Sequence, residues 1–154
     1  MSEIATVGIL GCGLMGSGIA QVAAAAGFTT VVREVTDDLV AKGKGAITKT
    51  LNKAIEKGKL DAAARDAILG KLRFTTKVAD LKDCDIVIEA VSEDLDLKNT
   101  LWKELDGLCP AHTIFASNTS SLTIAAMAGV SKRPDKYVGL HFFNPVPMMQ
   151  LVEV

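Results

Sequence analysis

Two kinds of hydrophobic run alternate along this chain. Residues 4–10, 28–33, 72–75, 84–90, 113–116 and 137–143 are short runs rich in Val, Ile and Phe. Their length and near-continuous apolar character predict strands buried on both faces. Between them lie longer segments whose apolar residues recur at helical spacing: 14–26, 36–57, 61–70, 95–108 and one starting near Leu122. In the second of these, Val40, Ile47, Leu51 and Ile55 share one face, and Lys42, Lys49, Lys53 and Lys57 share the opposite one. Gly27 is the natural stop of the first helix, and Thr36 or Asp37 caps the second. Asn144-Pro145-Val146-Pro147 breaks the sixth strand, and 148–154 reads as extended again.

Repeated strand–helix alternation predicts an α/β fold, a doubly wound, mostly parallel sheet with helices on both faces. The interval between the second and third strands exceeds a minimal crossover, so the two helices in it read as an inserted pair with its own function. Asp85 reads as structural at the entrance of the fourth strand.

Composition narrows the classes. A chain of 154 residues, 49% of them hydrophobic, suffices for one domain with a sizeable core. A formal net charge of -1 gives no bulk attraction to nucleic acid or membrane surfaces. No apolar run reaches the roughly 18–20 residues of a membrane span, and the first residues lack a secretory pattern. The three cysteines, Cys12, Cys84 and Cys109, form no C-x-x-C pair and no even framework. A reducing, cytoplasmic location is expected. His112 and His141 have no second histidine or cysteine at ligand spacing, so no metal is expected.

The chemistry begins at Gly11-Cys12-Gly13-Leu14-Met15-Gly16, which follows a strand and opens a helix. Gly11 permits the sharp reversal, Gly13 lets backbone close on a pyrophosphate, and Gly16 lets helix and strand pack tightly. The first helical amides have no internal partners and point at the anion. Glu34 ends the second strand 18 residues after Gly16, near the spacing of a carboxylate on the adenosine ribose. Such an acid repels a 2′-phosphate and favours NAD over NADP; neighbouring Arg33 pulls the other way. Cys12, inside the loop, reads as a small tolerated residue, with a redox-sensing thiol as the alternative.

Hydride transfer from an alcohol needs a base near the nicotinamide. His141 sits near the end of the sixth strand, where a side chain can enter the cleft, whereas His112 precedes a strand at the far edge and reads as exposed. Glu153 lies on the next extended segment, after a turn able to bring it to His141. A carboxylate there fixes the tautomer and stabilises the imidazolium. Ser120 offers a hydroxyl at the end of the neighbouring strand.

Three stretches, 11–20, Ala116-Ser117-Asn118-Thr119-Ser120-Ser121-Leu122 and Gly139-Leu140-His141-Phe142-Phe143-Asn144-Pro145-Val146-Pro147, resemble the NAD-binding domain of the 3-hydroxyacyl-CoA dehydrogenases, the 3-hydroxybutyryl-CoA subgroup in particular. The resemblance covers the whole chain and implies a Rossmann-type sheet and NAD as cofactor. It implies that His141 is the catalytic base, Glu153 its carboxylate partner and Ser120 the group on the substrate's 3-oxygen. Gly11, Gly13, Leu14, Met15, Gly16, Glu34, Glu93, Lys98 and Asn144 match cofactor-holding positions, and Thr50 and Lys57 match contacts to coenzyme A. Family members continue into a helical domain that closes over the acyl-CoA and forms the homodimer contact. The expectation is therefore a fragment, 1–154, that binds NAD and is nearly inactive alone. Two rivals remain: a non-catalytic dinucleotide-binding module, and a dehydrogenase acting on a free hydroxy acid.

Overall fold

A computed structural model describes residues 3–154. Six strands, β1 (Thr6–Leu10), β2 (Thr29–Arg33), β3 (Leu72–Thr75), β4 (Ile86–Glu89), β5 (Ile114–Ser117) and β6 (Tyr137–Gly139), form one sheet in the order β3-β2-β1-β4-β5-β6. Every pairing in it is parallel. The order reverses between β1 and β4, which opens a crevice at their carboxyl ends, the place where ligands bind in such sheets.

Helices α1 (Leu14–Ala25), α2 (Asp37–Glu56), α3 (Ala62–Lys71), α4 (Leu95–Leu108) and α5 (Ile124–Ala128) flank the sheet. Their apolar faces build two cores. On one side Leu101, Trp102 and Leu105 of α4 and Met127 of α5 meet Leu10, Val87 and Phe115. On the other, Ile19 of α1 and Ile47 and Leu51 of α2 meet Ile9, Val32 and Ile88. The apolar face read from the sequence of α2 is the one that buries, and the lysines opposite are exposed. Its cap is Thr36, whose hydroxyl accepts from the Leu39 amide at 3.3 Å. The α2–α3 pair is the insertion expected between the second and third strands.

Asp85 clasps the edge of the sheet remote from the crevice. One carboxylate oxygen accepts from the Ala5 and Thr6 amides at 2.9 and 2.8 Å, and the other lies 3.4 Å from His112 Nε2. His112 remains half-exposed there, as its position predicted.

The expected sixth strand, 137–143, is two strands. The Leu140 amide makes the last bond to β5, at Ser117 O. The next bond goes to a side chain instead: the Phe142 amide donates to Asn118 Oδ1 at 2.8 Å. The chain thus leaves the sheet, and β7 (His141–Phe142) pairs antiparallel with β8 (Val152–Glu153). Only those two residues of 148–154 are strand. Val78–Leu81, a 3-10 turn that buries Val78 and Leu81, has no counterpart in the sequence reading.

Candidate active site at the carboxyl edge of the sheet

The glycine loop is built by close approach. Gly11 has φ +88°, and a methyl group on it would lie 2.8 Å from the Ala90 carbonyl oxygen. A methyl group on Gly16 would run into the Gly11 carbonyl oxygen. Above Gly13, by contrast, the space is open. Gly13 caps α1 without a side-chain bond, and the first intrahelical bond is Ser17 N to Gly13 O. The amides of Leu14, Met15 and Gly16 therefore precede the helical ladder and have no partner within it, as an anion cradle requires. The Leu14 side chain is 74% exposed and Met15 is half-buried.

Glu34 points at this loop. Its Oε1 accepts from the Cys12 amide at 2.6 Å and its Oε2 from the Val35 amide at 3.0 Å. Both bonds fix a negative charge beside the crevice. Arg33 borders the same space, its Nε 3.4 Å from the Thr76 carbonyl. Beside Glu34 a cavity of about 290 Å³ is walled by Val35, Leu39, Val91 and Leu97. Three of these are exposed apolar side chains, Val35 at 59%, Leu39 at 39% and Leu97 at 41%. A slot with apolar walls, a carboxylate at its edge and free amides beyond it fits adenine, ribose and pyrophosphate in turn. The residues present therefore fit a dinucleotide. Cys12 is buried, and that burial, aided by Glu34, pushes its thiol up to about 12. The thiolate is the reactive form, so the redox-sensing alternative loses its basis.

The β7–β8 ribbon joins the second pair of site residues. His141 and Glu153 are register partners, with Nδ1 3.2 Å from Oε2. The imidazole centroid lies 4.6 Å from that of Phe143, the two rings tilted at 58°, and the histidine side chain is 25% exposed. With Nδ1 turned to the carboxylate, Nε2 is the nitrogen left to face a substrate. Ser120 is exposed, two residues past Asn118 and next to Thr119. The turn after β7 carries Asn144, and it closes over α1 and α2 to make a groove of about 190 Å³. Ser17, Gln21, Thr50 and Asn144 supply polar groups to that groove. Thr50 is exposed, its hydroxyl bonded to the Ala46 carbonyl, and Lys57 is an exposed residue closing the carboxyl end of α2.

Lys98 is buried, at 1% exposure, under the loop that follows β4. Its Nζ lies 2.8 Å from Glu89 and 3.7 Å from Glu93. Glu93 is half-exposed and accepts from the Thr119 hydroxyl at 2.7 Å. Glu89, Ser117, Asn118 and Thr119 were not singled out from the sequence as site residues. The available signal was an acid closing an otherwise apolar strand, with a lysine nine residues on. A buried charge needs a partner, and that spacing supplied one.

Residues 6–154 match the family described as 3-hydroxyacyl-CoA dehydrogenase, NAD binding domain. A probable 3-hydroxybutyryl-CoA dehydrogenase of Deinococcus radiodurans is 50% identical over 147 residues, covering 96% of this chain and 52% of the relative. The human mitochondrial hydroxyacyl-coenzyme A dehydrogenase is 46% identical, over 96% of this chain and 49% of its own. The crystal structure of (S)-3-hydroxybutyryl-CoA dehydrogenase from Ralstonia eutropha superposes with a TM-score of 0.95 at 45% identity, over 97% of this chain and 53% of that one. The chain thus spans about half the length of the relatives it matches. Matched along nearly all of its residues, and carrying a loop, acid and slot that fit the cofactor, the chain belongs to the 3-hydroxyacyl-CoA dehydrogenase family as its NAD-binding domain.

Proposed function

We propose that this chain is the NAD-binding part of an oxidoreductase that interconverts a (3S)-3-hydroxyacyl-CoA and its 3-ketoacyl-CoA. The observation that carries the reading is the His141–Glu153 pair, 3.2 Å apart beside the dinucleotide crevice. Bound NAD supplies the hydride acceptor. In the oxidising direction His141 Nε2 takes the 3-hydroxyl proton while the hydride leaves C3, and the carbonyl forms. Glu153 holds the Nδ1 proton and stabilises the imidazolium, which then releases its proton to solvent. Ser120 holds the 3-oxygen. Gly11, Gly13, Leu14, Met15 and Gly16 hold the pyrophosphate through backbone, and Glu34 holds the ribose. Glu93 and Asn144 would hold the nicotinamide side, with Lys98 acting through Glu93.

The groove between α1, α2 and the Asn144 turn supports an extended acyl-CoA, with Thr50 on its wall. Lys57 lies further along α2, where an ammonium meets a phosphate. Ser120, Asn144 and Glu153 are all exposed, so water reaches the cleft. Slow turnover by the chain alone follows, because transition-state charges are best stabilised where water is excluded. The two-domain form is the proposed active species, a cytoplasmic homodimer. Three buried cysteines with no disulfide suit that compartment.

The test is acetoacetyl-CoA reduction by NADH, measured on the chain alone and joined to the remaining half of a curated relative. Full turnover in the joined form, its loss in His141→Gln by about 10³-fold or more, and unchanged NADH affinity in that variant are expected. Loss of NADH binding in His141→Gln would make the histidine structural instead. Equal turnover with free acetoacetate would overturn the acyl-CoA assignment.

A further inference from the structure

Five side chains beneath the site close into a ring. Glu89 ends β4 and is fully buried. Its Oε1 accepts from Lys98 Nζ and from the Val91 amide, both at 2.8 Å, and its Oε2 accepts from Ser117 Oγ at 2.6 Å. Ser117 ends β5, and its Oγ accepts in turn from the Thr119 amide at 3.3 Å. Thr119 Oγ1 donates to Glu93 Oε2 at 2.7 Å, and Glu93 Oε1 lies 3.7 Å from Lys98. The ring ties together the β4–α4 loop, the start of α4 and the β5–α5 loop.

Other bonds hang the remaining site segments on this ring. Thr119 Oγ1 accepts from the amides of Leu122 and Ser121, at 3.0 and 3.4 Å, which fixes the turn that carries Ser120. The Asn118 amide donates to the Glu89 carbonyl, and the Leu140 amide to the Ser117 carbonyl. Asn118 Oδ1 accepts from Phe142 N. The residues on both sides of His141 are therefore bonded to the residues that follow Glu89's partner Ser117, or to Ser117 itself. Packing could hold two strand ends at this spacing without charges. A carboxylate and an ammonium taken out of water cost several kcal/mol each, so their retention here calls for a geometric role.

We infer that Glu89 is a positioning residue: with Lys98, it sets Glu93, Ser120 and His141 in register with one another. This rests on the proposed roles of Glu93 with the cofactor and Ser120 with the substrate. The effect passes through two routes, Lys98 to Glu93 and Ser117 to Thr119, which meet again at the Thr119–Glu93 bond. Glu89→Gln keeps the shape but leaves Lys98 with Glu93 as its only carboxylate. Lys98 is then drawn to Glu93, and Glu93 is drawn off Thr119. Thr119→Val cuts the ring at that same bond while leaving the buried ion pair whole.

The test uses the chain itself, with NADH titration, thermal melting and amide hydrogen exchange at Ser121 and Leu122. Glu89→Gln is expected to raise the NADH dissociation constant about tenfold and to speed exchange at both amides. Thr119→Val raises the dissociation constant the same way, and in that readout the double variant adds little to the larger single effect, as members of one path do. Because Thr119 Oγ1 is itself the acceptor of the Ser121 and Leu122 amides, exchange there judges Glu89→Gln and Ser117→Ala, whose substitutions leave that acceptor in place. A lower melting temperature with unchanged affinity in both Glu89→Gln and Thr119→Val, and unchanged exchange in Glu89→Gln, would overturn the inference. So would full additivity of the two in affinity. If Glu89→Gln does not fold, Thr119→Val decides by affinity and Ser117→Ala by affinity and exchange. Failure of the unmodified chain to bind NADH would count against the proposed site roles, and exchange at Ser121 and Leu122 would still judge the ring.

Discussion

Gly16 and Glu34 shape the loop from opposite directions. Gly16 has no room for a side chain, because the Gly11 carbonyl occupies the place where one would begin. Glu34 supplies a side chain that the loop needs, holding the Cys12 amide at 2.6 Å. Both were readable, since the spacing of a tight turn and of its acid is short-range and leaves little freedom. Cys12 was readable only in part, because α2 packs over it: a methyl group on Gly43 would run into its Sγ. Burial pushes the thiols of Cys12 and Cys84 up to about 12 and that of Cys109 up to about 11. All three are therefore expected to resist a thiol-specific disulfide reagent at about pH 8 and to react together when the chain unfolds. Fast labelling of Cys12 in the folded chain would show that its loop opens.

At the scale of elements, the Asp85 clasp joins the start of β1 to the start of β4 and reaches the turn before β5. The amides of Ala5 and Thr6, and then His112, hold its carboxyl below the usual carboxylate range. A depressed pKa means that the folded state favours the ionised form. The stability it contributes is complete above the unfolded value of about 3.9, and is lost as pH falls through the folded value. Melting temperature should therefore fall on acidification below about pH 4, and Asp85→Asn should flatten that part of the profile while lowering the plateau. An unchanged profile in the variant would show that other carboxylates govern acid unfolding. The clasp was legible because Asp85 opens an apolar strand. The break at Leu140 was not. The run 137–143 is mostly apolar, and Gly139, where β6 ends, is followed directly by Leu140, His141, Phe142 and Phe143 with no proline or turn cluster to mark a stop. The separation comes from Asn118, just past the end of β5, whose side chain takes the Phe142 amide. The ring around Glu89 escaped in part for the same reason: the Glu89–Lys98 spacing was a local signal, but Ser117 and Thr119 are ordinary in their own segment, and only the sheet order brings β4 and β5 side by side.

Across the whole molecule, two apolar cores hold one parallel sheet whose strand order reverses between β1 and β4. That reversal sets the crevice, and everything with chemistry lies along its edge. The glycine loop and Glu34 stand on the β1–β2 side, Glu93 and Ser120 over β4 and β5, and His141 on a ribbon beyond β6. From the inserted α2–α3 pair, α2 closes the far wall of the groove and brings Thr50 to it. Its exposed lysines were rightly divided from its buried face, because helical periodicity carries that distinction within a single element. Trp102, the only tryptophan, is fully buried against Phe115 and Tyr137, with ring centroids at 4.9 and 5.0 Å. Its emission therefore reports whether a variant is folded in any of these experiments.

The most direct test of the account is parallel titration of the 154-residue chain with NADH and NADPH. Saturable one-to-one binding of NADH is expected, with NADPH weaker by roughly tenfold or more, since a 2′-phosphate would meet the Glu34 carboxylate. Absence of saturable NADH binding by the folded chain, or equal affinity for the two cofactors, would contradict it.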